Sequence, residues 1–294
     1  MLSVLIPVYN YQCVALVEAI HKQLVASTKT FEIICLDDAS EFYSSENRVV
    51  ANLSHTTYHI SPANLGRVAS RRHLANSANY NWLLFLDADV LPKSEQFIQT
   101  YLNAFETDVD AIYGGFAYHE EVPESHYSLR WKYGKTKEQV SALIRNKTPY
   151  KIVISANFLI KKTLFLAINS ETDSKNYGYD NYFGAILKAK NSKVLHIDNE
   201  VFHLGIEDNA TYLNKIKQAV ETLHDLHTTS KITVSDNDLL ELFKALKKYR
   251  LKRIFGLFYK WFEKSFEKQL TGKNPSIRLL QLYKLSYICY LDRQ

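Results

Sequence analysis

The sequence predicts an α/β protein built on a mostly parallel sheet flanked by helices, with a further helical extension toward the C-terminal end. Three observations carry this. Short apolar, β-branched runs alternate with longer polar stretches through the first half of the chain, as strand–helix–strand units do. Within the polar stretches apolar residues recur every three or four positions, as at Val14, Val17, Ile20 and Leu24. From Leu239 onward the composition shifts, with 13 Lys/Arg against 4 Asp/Glu and aromatic residues between the charges.

Taken in order, strands are predicted at 3–8, 31–36, 57–60, 82–86 and 111–114, each short, apolar and bounded by turn residues. Helices are predicted at 14–26, 65–78 and 94–105 from their apolar spacing. Between 118 and 148 the pattern is mixed and polar, with Tyr127, Trp131 and Tyr133 interspersed, so irregular or helical structure beside the substrate opening is expected. Short strands follow at 152–154 and 158–160, a helix at 182–189, extended segments at 194–197 and 200–202, and a helix at 209–226. After a polar break at 227–238, one basic amphipathic helix runs from Leu239 until Asn274-Pro275 ends it, and a last helix occupies 277–291. The chain thus divides into an α/β body, 1–230, and a basic helical extension, 231–294.

Composition narrows the function classes. With 294 residues, 46% of them hydrophobic, the chain can bury a large core, which excludes a disordered or disulfide-stapled protein. Cys13, Cys35 and Cys289 are distant and odd in number, as free thiols in a reducing compartment would be. No run reaches the roughly 18 apolar residues of a membrane span, and the first residues lack a basic leader, so Ser3 to Val8 reads as a buried strand. The net charge of +5 resides in the tail and leaves the body mildly acidic, which argues against a nucleic-acid partner. A cytoplasmic location is expected, with peripheral attachment to the inner face of the cell membrane.

The sharpest local signal is Leu84-Phe85-Leu86-Asp87-Ala88-Asp89-Val90, an apolar strand running into two carboxylates. Residues two apart on an extended chain project to one side. Mg²⁺ or Mn²⁺ takes such oxygens and completes its shell with water and phosphate, although a plain strand-ending turn has the same residues. The first strand ends Ile6-Pro7-Val8-Tyr9-Asn10 and the second Ile34-Cys35-Leu36-Asp37-Asp38-Ala39-Ser40. A carboxylate there can accept from a nucleobase or ribose, or serve its own loop through Ser40. In Asn64-Leu65-Gly66-Arg67-Val68-Ala69-Ser70-Arg71-Arg72 a glycine turn opens a helix carrying arginines. Guanidinium groups and a helix N-terminus suit a diphosphate; a solvated surface helix is the alternative.

Together these segments resemble glycosyltransferase family 2 enzymes of the GT-A fold, over roughly residues 1–225. The resemblance implies that Pro7 and Tyr9 form the base-binding wall and that Asp38, with Asp37 beside it, binds the nucleobase. It places Asn64, Gly66 and Arg71 near the nucleotide, with Arg67 and Arg72 as further arginines. Asp87 would contact the ribose or the shell of the metal, and Asp89 would bind Mn²⁺ or Mg²⁺ directly. The family also carries an acidic pair before a short helix; in Tyr177-Gly178-Tyr179-Asp180-Asn181-Tyr182-Phe183-Gly184 the matching general base is Asp180, while Tyr179 replaces the usual Glu. His203 resembles the family's late metal-site histidine, and His196 competes for that role.

The implied activity is inverting transfer of a sugar from a nucleotide-sugar donor, UDP-sugar by default, to a hydroxyl of a glycan or lipid-linked acceptor. A non-catalytic nucleotide-sugar-binding or assembly protein is the alternative, supported by Tyr179. A sugar nucleotidyltransferase would show a Gly-rich loop after the first strand, where none is found. Substrate choice is expected in the loops at 115–150 and 173–179. In the tail, Lys244, Lys247, Lys248, Arg250, Lys252 and Arg253 accompany Phe255, Phe258, Trp261 and Phe262, a pattern that suits an anionic membrane surface. The same apolar face also suits packing on the body or on a second subunit.

Overall fold

The computed structural model describes residues 1–105, 108–169, 177–232 and 234–293. The elements run β1 (Leu2–Val8), α1 (Val14–Ala26), β2 (Phe31–Asp37), α2 (Ser44–Asn47), β3 (Thr56–Ile60), α3 (Arg67–Ser77), β4 (Trp82–Leu86), β5 (Val90–Pro92) and α4 (Phe97–Ala104). There follow β6 (Ala111–Tyr113), β7 (Phe116–Ala117), α5 (Ser128–Tyr133), α6 (Ala142–Arg145), β8 (Asn157–Lys161), α7 (Lys162–Asn169) and α8 (Asp180–Ala189). The chain continues through β9 (Val194–His196), β10 (Val201–His203) and α9 (Asn209–Thr228) to α10 (Asp238–Lys248), α11 (Lys252–Leu270) and α12 (Ile277–Leu291).

Seven strands form one sheet in the order β3-β2-β1-β4-β8-β6-β9, with β8 antiparallel to its neighbours β4 and β6. Both faces are covered, so the strands are apolar on both sides. Their alternation sorts the side chains: Val4, Ile6, Leu84 and Leu86 pack with α1 and α4, whereas Leu5, Leu83 and Phe85 face α3, α7 and α8. The chain passes outward from β1 to β2 to β3 and then returns to set β4 on the other side of β1. That reversal opens a crevice beyond the carboxyl ends of β1 and β4, where open α/β sheets bind ligands. A small second sheet, β5-β10-β7, stands beside that opening.

The core beneath α3 and α8 runs on without interruption into Phe243 of α10, Phe266 of α11 and Tyr283 of α12. Ion pairs pin the tail as well, Lys151 to Asp238 at 2.8 Å and Lys217 to Glu263 at 3.2 Å. The inner face of the tail is therefore packed on the body. The three cysteines are buried free thiols.

Two predicted elements differ. Residues 152–154 are not a strand: a turn closed by Asn157 N–H on the Ile154 carbonyl at 3.2 Å separates them from β8, and Ile152 and Val153 line the cavity instead. The single helix expected from Leu239 is two helices, broken at Arg250, whose φ of 60° is left-handed. The turn costs about 1–2 kcal/mol but lets α10 and α11 each bury one face, at Phe243 and at Phe266.

Candidate active site

A cavity of about 560 Å³ opens over the ends of β1, β2 and β4. Pro7, Tyr9, Asp38, Asn64, Gly66, Arg71, Asp87, Asp89, Asp180 and His203 all line it. Arg67 lines it too, while Arg72 turns away, its guanidinium donating to the Asn169 carbonyl at 3.4 Å.

At the end of β2 the two aspartates part. Asp38 accepts the backbone N–H groups of Leu65 at 2.7 Å and Gly66 at 2.9 Å. Gly66 has φ 84°, a conformation glycine adopts freely, and this is why α3 starts at Arg67 rather than at Leu65. Asp37 is not among the lining residues. It is buried and accepts from Ser40 N at 2.7 Å, from Tyr58 Oη at 2.6 Å and from Ser44 Oγ. Burial pushes its carboxyl up, but the bonds from Ser40, Ser44 and Tyr58 prevail and hold it below the usual carboxylate range.

Beyond β4, Asp87 takes two guanidinium groups, Arg67 Nη2 at 3.0 Å and Arg71 Nη2. Asp89 faces His203 instead, Oδ2 to Nε2 at 3.6 Å. The ladder makes this pair: His203 is registered with Val90 across β10 and β5, and Leu204 N–H donates to the Asp89 carbonyl at 2.8 Å. Close packing requires Gly205 to follow, because a Cβ there would strike the Asp89 carboxylate. Desolvation, then the charge of Asp87, raises Asp89 to about 6. Burial, then Arg130, lowers His203 to about 4, so the imidazole is neutral at pH 7.

His196 is spent elsewhere. Its Nδ1 lies 2.8 Å from buried Arg145 and its Nε2 2.9 Å from the Pro149 carbonyl. It holds α6 against β9.

Asp180 opens α8 and reaches the cavity from the other wall. Desolvation by the surrounding walls raises its carboxyl above the ordinary range, with Arg67 and Arg71 opposing and Asp87 adding to the rise. Tyr179, in the place of the family's Glu, lies tilted against Tyr182 with ring centres 4.8 Å apart and packs on the core. Of the loop 173–179, residues 173–176 lie outside the described residues.

Four charged lining residues, Arg130, Glu138, Glu207 and Lys215, had no signal in the sequence. Arg130, from the segment read as mixed, is buried, pairs with Glu138 at 2.9 Å and lies over the rings of Tyr118 and Tyr212. Lys215 on α9 pairs with Glu207 and lies 5.6 Å from the centre of the Tyr177 ring. The one hint was a charged residue set among aromatics, which many surfaces share.

The lining carries six carboxylates, Asp38, Asp87, Asp89, Glu138, Asp180 and Glu207, against four cations, Arg67, Arg71, Arg130 and Lys215. A diphosphate cannot enter a net-negative cavity cheaply, and a divalent cation beside Asp89 would close that deficit. Among the described residues no three His, Cys, Asp or Glu side chains gather to hold a metal alone. Two donors side by side nonetheless fit Mg²⁺ or Mn²⁺, which keep several positions for water and phosphate. Among the described residues, Ser70 Oγ, Arg71 Nε and His203 Nδ1 are buried in the walls without hydrogen-bond partners.

Residues 3–167, more than half of the chain, match Glycosyl transferase family 2. The chain belongs to that family. No curated protein matches it. Among solved structures, this family 2 chain is similar to S. aureus TarS 1-349, at 15% identity and a TM-score of 0.52, over 100% of this chain and 92% of that one. It is similar also to mannosyltransferase PcManGT from Pyrobaculum calidifontis, in complex with GDP-Man and Mn²⁺, at 12% identity and a TM-score of 0.54, over 100% and 88%. A third likeness is glucosyl-3-phosphoglycerate synthase from Mycobacterium tuberculosis with Mn²⁺, UDP and glucosyl-3-phosphoglycerate, at 12% identity and a TM-score of 0.50, over 80% and 81%. At these identities the structures show the fold, GT-A. Family and fold together support a nucleotide-sugar glycosyltransferase.

Proposed function

We propose that this family 2 chain is an inverting, metal-dependent glycosyltransferase of the hexosyl or N-acetylhexosaminyl type. It moves a sugar from a nucleotide-sugar donor, UDP-sugar favoured, to a hydroxyl of a glycan or lipid-linked acceptor in cell-envelope polysaccharide synthesis. The observation that carries this is the arrangement around one cavity of Asp89 beside His203, Arg67 and Arg71 on Asp87, and Asp180 on the facing wall.

Pro7 and Tyr9 border the base and Asp38 fixes the Leu65–Gly66 turn beside it. Asp89 and His203 would hold a divalent ion, which when bound would supply Lewis-acid stabilisation to the departing diphosphate. Arg71, buried and with Nε unpartnered, stands where the same negative charge develops. Asp180 takes the proton of the acceptor hydroxyl as its oxygen bonds to the anomeric carbon and the carbon–phosphate oxygen bond breaks. Attack from the face opposite the leaving group inverts that carbon. The raised pKa of Asp180 suits a base that must hold a proton during the step.

The test is release of nucleoside diphosphate from a panel of UDP- and GDP-sugars with mixed glycan acceptors, comparing the natural chain with Asp180→Asn. Turnover by the natural chain, slowed about 10²- to 10³-fold in the variant, is expected. Donor binding without turnover on any acceptor would favour the non-catalytic reading.

A further inference from the structure

The tail has two faces, and the core uses one of them. On α11, Gly256, Tyr259, Phe266 and Leu270 are buried against α9 and α12. The opposite stripe leaves Ile254, Trp261 and Phe262 exposed, with Trp261 72% and Ile254 61% open. These are large apolar groups that folding did not cover. Arg253, Lys260, Lys264 and Lys268 surround them at exposed positions.

The signs of the charges are sorted as well. No exposed position of α11 is acidic among the described residues. Glu263 is half-buried and already partnered, accepting from Tyr259 Oη at 2.6 Å and Lys217 Nζ at 3.2 Å. The turn that breaks the tail extends the same character, with Lys247, Lys248, Tyr249, Arg250 and Leu251 all exposed and Tyr249 69% open. An in-plane helix that presents aromatic and aliphatic groups ringed by Lys and Arg matches one chemistry, a surface of anionic lipid headgroups over acyl chains.

We infer that the outer face of α11 and the 247–251 turn dock on an anionic phospholipid membrane surface. Helix α9 carries Lys215 in the cavity wall and, two residues on, Lys217 bonded to α11. Helix α9 thus borders the cavity on one side and the inner face of α11 on the other. Docking stands independently of the proposed chemistry, since it is read without donor or turnover.

The experiment is co-sedimentation of the full chain with mixed phosphatidylglycerol/phosphatidylcholine vesicles and with pure phosphatidylcholine vesicles. Binding is expected on the mixed vesicles, released by salt, and absent on the neutral ones. Replacing Lys260→Ser with Lys264→Ser is expected to lower partitioning on the order of tenfold. Trp261→Ser, at an exposed position that leaves the fold intact, is expected to weaken it too. Equal partitioning by the variants, or equal retention on neutral vesicles, would overturn the inference. So would a dimer in sedimentation velocity that Trp261→Ser dissociates, since a second copy would then cover the face.

Discussion

The floor of the cavity and its far wall are built by opposite means. Pro7, Tyr9, Asp38, Asp87 and Asp89 sit at or just beyond the ends of β1, β2 and β4, where the sheet holds the backbone. Arg130, Glu138, Asp180 and Lys215 arrive on helices and loops from distant parts of the chain and are held by side-chain partners. On the floor, removing the Asp89 side chain leaves the strand ends beneath it standing. On the far wall, the functional group and the structural tie are the same atoms.

Asp89→Ala breaks this comparison most severely if it unfolds the protein. It is expected to cost on the order of 10³-fold in kcat/KM and to abolish metal dependence of nucleotide binding, with Tm nearly unchanged. Asp180→Asn is expected to lower kcat by about 10²- to 10³-fold while nucleotide affinity persists in a titration. Because burial raises Asp180, the base is protonated and inactive below a pKa above the usual carboxylate range, so the acid limb of the kcat/KM profile lies above that range and vanishes in the variant.

The far wall should respond differently. Arg130→Ala leaves Glu138 without its guanidinium partner and opens the contact to the Tyr118 and Tyr212 rings. A stability loss of about 3 kcal/mol in denaturant unfolding is expected, far more than at Asp89. Asp37→Asn sharpens the floor side, since Asp37 faces the interior: it is expected to cost about 1–2 kcal/mol. Its folded pKa is depressed, so this contribution is present above the unfolded value and is lost as pH falls through the folded one. The stability difference between natural chain and variant therefore narrows in acid.

The same contrast explains what the sequence revealed. Strands 82–86 and 31–36 were legible because a short continuous apolar run and its flanking turns are local, and the residues at their ends inherit a known direction. Within that floor, Asp37 and Asp38 could not be told apart. Neighbouring residues on a strand point to opposite faces, and which face is the crevice depends on Tyr58 of β3 and on the 65–66 turn. The pairing of His203 with Asp89 depended on the β5–β10 register, which a histidine at a strand end does not announce. Arg130 and Lys215 were hidden for a stronger reason: their roles come from helix packing, and a lysine on α9 reads like any solvated one. The break at Arg250 was hidden because arginine carries no turn signature, and what favours it is the burial of Phe243 and Phe266 at once.

The central claim is that the cavity's charge deficit is closed by a divalent cation at Asp89 and His203. The most direct test is calorimetric titration of the full chain with UDP in Mn²⁺ and again in chelator, repeated with Asp89→Ala. The account predicts binding by the natural chain in Mn²⁺, a large loss in chelator, and no further effect of chelator on the variant. UDP affinity of the natural chain that is the same with and without the metal would contradict it.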